Sequence, residues 1–190
     1  MIPTPKTKGE IFCAITMCLP SLVSLFVFLF YKQHFDAYHY VGFIQCFIHA
    51  PFSIALHTKR ACGDHCYSGQ GLILRRLDYS FIHIASLLLC FGLSHCLIYG
   101  IFGKIVNIFY INKIWSFQGQ IQTPPIRGVA VCIFLYLFGL VINERIRSFF
   151  HGCALAILFY VCTHFDVIGY SIMHILCAFL QYVFMCHLIR

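Results

Sequence analysis

Along the chain, long apolar runs alternate with short polar punctuation, and the run lengths suit membrane helices better than a soluble core. The opening MIPTPKTKGE is polar, and Ile11 to Phe30 then carries no charge, a run long enough at about 1.5 Å per residue to cross about 30 Å of hydrocarbon. Pro20 falls within it and predicts a kink, which membrane helices tolerate. No small-residue cleavage pattern closely follows, so the run reads as a retained helix and not a signal peptide. After the connector YKQHFDAYH, a second span is predicted from Tyr40 to His57, with Pro51 near its end, and a third from Leu77 to Ile98. Gly128 to Ile142, Phe149 to Cys162 and Val167 to Ile189 complete a set of six clear spans. Gly100 to Trp115 is apolar but interrupted by Lys104 and Lys113, and reads either as a short fourth span or as a surface helix. SFQGQIQTPPIR is a loop by its Gln, Gly and paired Pro residues. The pattern therefore predicts an all-α, polytopic membrane protein, one transmembrane helical domain over residues 1–190, with seven helices if 100–115 crosses.

Composition agrees: 61% of residues are apolar and only 10% charged, more apolar surface than one soluble core can hide. The net charge of +7 resides mostly in short loops, so it reports orientation and not nucleic-acid binding, which needs a basic, water-exposed face. The longest polar loop, residues 58–76, holds Lys59, Arg60, Arg75 and Arg76 against Asp64 alone and is expected in the cytoplasm. The N-terminal segment 1–10, with Lys6 and Lys8, lies two crossings away and is expected on the same side. Of the 12 cysteines, all but Cys62 and Cys66 fall in apolar segments, where a thiol behaves as a small hydrophobe. Those two flank Gly63, Asp64 and His65, but a structural zinc knot needs a second paired cluster that the chain lacks.

Chemistry concentrates at two helix ends. Ser53 and His57 are four apart and share a helix face, with His49 one turn earlier. Asp78 lies where the third span re-enters from the side on which the second leaves, so it can approach His57 without crossing the bilayer. Tyr170 and His174, again four apart, begin the last span. They meet the first group only if the last span is the seventh, so a shared site requires 100–115 to cross. Polar groups inside a span are costly unless they find partners. Neutral imidazoles bind zinc, and three protein ligands leave a position for water. Asp78 would then take the water's proton while Ser53 bonds water or a developing oxyanion. The plainer alternative is that each group only hydrogen-bonds a neighbouring helix.

The quoted motifs, GEIFCAITMCLPSLV from Gly9, SIALH (Ser53 to His57), LRRLDYSFIHIASLLL around Asp78 and YSIMHILCAFLQY around His174, resemble the hemolysin III and progestin/adipoQ receptor (PAQR) family. That family sits in a wider superfamily that includes alkaline ceramidases and other membrane hydrolases. The resemblance covers the first hundred residues and the last forty. It implies seven helices, a cytoplasmic N-terminus and a zinc ion (Zn2+) held by three histidines near the cytoplasmic face, with Ser and Asp beside the metal-bound water. Carried over, His57 and His174 are metal ligands, Tyr170 occupies the position of the third, and Ser53 and Asp78 are catalytic. Two positions depart from the family pattern: Tyr170 replaces a histidine, and Met17 stands where the opening Thr-His pair has its His. Phenolate is a poorer zinc ligand than imidazole at neutral pH, so His49, His83 and His164 are kept as substitutes. Glu10 is expected to pair with a loop cation and not to be catalytic. His34, His39, His95, His151 and His187 are expected to be interfacial or to bond within the bundle. The implied activity is hydrolysis of a membrane lipid amide or ester, such as a ceramide-like substrate. The alternative is a non-catalytic, receptor-like or membrane-remodelling member with incomplete metal ligation.

Overall fold

The computed structural model describes residues 5–63, 69–116, 126–162 and 166–189. These are almost wholly helical, with no strand among the described residues: α1 (Pro5–Thr16), α2 (Leu19–Tyr31), α3 (Ala37–Ala61), α4 (Gly69–Ser94), α5 (Leu97–Ser116), α6 (Ile126–Ile142), α7 (Ile146–Cys162) and α8 (Asp166–Ile189). Among the described residues, four stretches are long and apolar enough to cross a membrane: Thr7–His34, Ala37–Ala61, Gly69–Ser94 and Leu97–Ser116. Arg127–Ile142, Ile146–Cys162 and Ser171–Val183 are shorter apolar helices. Leu97–Ser116 contains the segment left open between span and surface helix. It is unbroken, and Lys104 and Lys113 both fall on its exposed side, so neither ammonium is forced into the bundle.

Polarity is arranged as lipid demands. Phe26, Leu29, Ile98, Ile105 and Phe150 face outward, whereas Glu10, His57, Asp78, His83, Asn107 and His174 are buried. An apolar exterior around a polar interior suits a hydrocarbon solvent, in which polar groups must find partners within the bundle.

The first span is not one kinked helix but two helices separated at Met17 and Cys18, with Pro20 in the first turn of α2. Pro20 has no N–H to offer the Thr16 carbonyl, and its ring crowds that carbonyl, so the break falls just before it. The expected loop 58–76 is largely helical: α3 runs on to Ala61 and α4 begins at Gly69. Lys59 and Arg60 occupy the last turn of α3, where cations complement the carbonyl end of the helix. Most of the CGDHC stretch, residues 64–66, lies outside the described residues.

Helix α4 packs against α3, α5 and α6, and α8 against α1, α2 and α7. Apolar burial between helices in lipid adds little hydrophobic drive, so close van der Waals contact must hold them. Gly92 supplies it: a Cβ there would lie 3.0 Å from the Tyr38 carbonyl oxygen and 3.3 Å from the Gly42 nitrogen, so the α3 and α4 backbones touch. Leu93, Leu137 and Leu140 form the buried apolar cluster between α4 and α6.

At the end where α3 begins, Asp36 caps the helix by accepting from the His39 N–H at 2.9 Å. Burial pulls the Asp36 carboxyl upward, but the His39 N–H and ring outweigh it and hold it below the usual carboxylate value. His95 closes α4 in the left-handed region, φ 50, stacked on Tyr38 at 4.4 Å. Burial pushes its pKa below the ordinary value, with His39 and Arg145 acting in the same sense against Asp36.

Candidate metal centre

Helices α1, α3 and α8 bring Cys13, His57 and His174 together in the buried interior, their donor atoms all within 4.8 Å of one another. Cys13 Sγ lies 3.4 Å from His57 Nε2 and 3.7 Å from His174 Nδ1. A tetrahedral zinc with bonds of about 2.3 Å to sulfur and about 2.0 Å to nitrogen separates such donors by about 3.5 Å. The donor set, one thiol and two imidazoles, could therefore hold a metal ion, and its two sulfur–nitrogen separations are of the size that zinc would need.

The surrounding contacts orient these donors. His57 donates Nδ1–H to Glu10 Oε2 at 2.7 Å, which leaves the Nε2 lone pair facing Cys13. A carboxylate behind a metal-binding imidazole fixes the tautomer and raises the basicity of the ligand. Glu10 is itself anchored by Arg60, whose Nη2 is 3.0 Å from Oε1. Its partner is thus a cation at the end of α3. Thr16 Oγ1 donates to the Cys13 carbonyl at 3.1 Å and lies 3.1 Å from His174 Nδ1. Glu10, Cys13 and Thr16 recur every three residues, so one face of α1 is given to this centre.

Asp78 on α4 stands beside it, interacting electrostatically with His57 and His174. His49 Nε2 donates to its Oδ1 at 3.1 Å, and Ser53 also hydrogen-bonds it. Of the residues named from the sequence, the structure thus places His57, His174, Ser53 and Asp78 near one another. His49 joins them through Asp78 and not as one of the three clustered donors. The Tyr170 side chain and His164 lie outside the described residues. His83 is not at the centre; its ring nitrogen contacts Asn107 and Cys132. Cys13 escaped the sequence reading because it is one cysteine among many in apolar runs. The one available signal was its place one turn after Glu10, a carboxylate at the head of an uncharged segment.

No family model, no curated protein and no solved structure matches this chain.

Proposed function

We propose that the chain is an integral membrane protein of the hemolysin III/PAQR type, and a zinc-dependent hydrolase of a lipid amide or ester. One observation carries this reading: the convergence of Cys13, His57 and His174 from three helices beside the paired Ser53 and Asp78. Cys13 takes the place in the ligand set that a third histidine would fill in the family. Zinc, when bound, supplies a water whose pKa falls to about 7. Asp78, oriented by His49 and Ser53, would be the group to accept a proton from the attacking water and return it to the leaving group of the cleaved ester or amide. The Ser53 hydroxyl is placed to donate to the oxyanion once the Asp78 carboxylate has been protonated. Glu10 keeps His57 in one tautomer throughout.

Seven crossings, with the centre at the cytoplasmic end and the N-terminus on that side, complete the proposal. Supporting them, His174 near the start of α8 reaches Cys13, while His57 near the end of α3 reaches Glu10. Helices α3, α4 and α8 then share one end, as an alternating seven-span chain requires.

The test is zinc content and hydrolysis of a ceramide-like lipid by the purified full chain. About one zinc per chain is expected, with His57→Ala and His174→Ala losing both metal and activity. Substoichiometric zinc that neither variant changes sinks the enzyme reading. Tightly bound zinc without hydrolysis favours the receptor-like alternative, which the thiolate in the ligand set supports, because sulfur donation weakens the metal as a Lewis acid.

A further inference from the structure

We propose that His39 and His95 form a second, exchangeable metal site, at the end of the bundle opposite Cys13, His57 and His174, and that it takes a divalent ion of the zinc type. The site stands apart from the hydrolase reading. His39 lies in the first turn of α3 and His57 near its other end, about 27 Å apart along the helix at a rise of 1.5 Å per residue. That is close to the thickness of the hydrocarbon. His95 follows the end of α4, which Gly92 brings against the Tyr38 carbonyl. The His39 and His95 rings are 6.0 Å apart and cross at 80°. His57 and His174, whose nitrogens gather with Cys13, are also 6.0 Å apart and cross at 76°.

Each ring has a nitrogen in need of a partner. Nε2 of His39 and Nε2 of His95 are enclosed by protein and have no hydrogen bond among the described residues, an uncommon condition for buried polar atoms. His39 is only 4% exposed, so bulk water does not serve it. Its other nitrogen is committed. Nδ1 and Asp36 Oδ1 are 2.6 Å apart, which requires a proton between them and outweighs the Asp36 backbone N–H, 3.2 Å from the same nitrogen. In the neutral ring the lone pair then belongs to Nε2. A carboxylate behind an imidazole is also the pairing that Glu10 makes with His57, and it raises the basicity of the outward nitrogen. His95 is fixed by its stack on Tyr38 at 4.4 Å, and its depressed pKa keeps the ring neutral near pH 7.

The donors select the ion. Two imidazoles without a thiolate suit zinc-type dications and not Cu(I), which takes thiolate or thioether. Calcium and magnesium need several oxygen ligands, whereas the carboxylate at hand, Asp36, already bonds His39. Asp36 and Arg145, the charged groups that act on His95, offset each other. The Asp36 side chain is 49% exposed, so solvent reaches this end of the bundle and completes the shell. Two protein donors hold an ion more weakly than three, so it is lost on washing and regained when zinc is added. A water bridging the two rings is the competing occupant.

The test uses the full chain carrying His57→Ala, or His174→Ala if that variant does not fold, so that the other centre does not contribute. Washed free of metal in detergent, this parent is titrated with zinc against a chromophoric chelator. One equivalent is expected, with a shell of nitrogen and oxygen alone by X-ray absorption. His39→Gln keeps a side chain suited to the third helical position, and His95→Asn suits the left-handed backbone. Each should weaken binding by more than about 100-fold, beyond the about 10–100-fold expected of Asp36→Asn, which removes only the supporting charge. Zinc should also raise the thermal midpoint of the parent and not that of either histidine variant. Unchanged affinity in either histidine variant overturns the site, as does a parent that takes up no zinc, which leaves water as the occupant. Sulfur in the shell, meaning capture by a cysteine, overturns it even if the histidine variants fail to fold.

Discussion

Glu10 serves two partners at once, accepting from His57 Nδ1 at 2.7 Å and pairing with Arg60 at 3.0 Å. Removing its charge while keeping its shape separates orientation from ligation. Glu10→Gln should weaken zinc binding by about 10–100-fold without abolishing it, whereas Cys13→Ala should remove a donor outright; competition with a zinc chelator distinguishes the two. His95 carries a different consequence. Its pKa is depressed in the folded chain, so protonation favours the unfolded chain. The stability this group contributes is complete above the ordinary histidine value of about 6.5 and is lost as pH falls below it. His95→Asn removes the titration and suits the left-handed backbone, so the thermal midpoint of the variant should fall less than that of the parent between pH 7.5 and 5.5, by about a few degrees. What was legible at this scale followed from cost. His57, His174 and Asp78 stand out because an ionisable group in an apolar run needs a reason. Cys13 has no such cost and looks like its neighbours. Tyr170 drew attention through a register with the family that says nothing about where the third donor comes from.

Helix boundaries were legible where apolarity sets them and obscure where polar residues extend a helix beyond the hydrocarbon. The stretch around Arg60 and Arg75 reads as loop by charge, yet it lies on helices whose ends project past the apolar spans. The break before Pro20 was visible as a kink, but its position two residues earlier depends on the carbonyl that the missing N–H would have met. Close backbone contacts between elements were not legible, since glycines such as Gly92 do not announce which backbone approaches them. That contact can be tested directly. Gly92→Val places branched carbons against the Tyr38 carbonyl and the Gly42 backbone, and should destabilise the α3–α4 pair by about 1–3 kcal/mol. A lowered thermal midpoint in detergent checks this, and an unchanged midpoint would show that the two helices do not touch there.

For the whole molecule, the contacts of α1 with α3 and α8 make orientation a single measurement. Exposed Cys62, just past the end of α3, should react with a membrane-impermeant maleimide from the same side on which a tag ahead of Pro5 is accessible to antibody. Labelling from opposite sides would rule out the paired crossing of the first two spans. The separation of α1 from α2 has one more consequence. Every α1 contribution to the metal centre, from Glu10, Cys13 and Thr16, precedes the break, and Met17 lies within it. Translation begun at that methionine would yield a chain with α2 through α8 but only two of the three clustered donors. Such a shorter chain would keep the remaining helices while lacking the thiol of the candidate centre, so comparing its metal content with that of the full chain would isolate what α1 contributes.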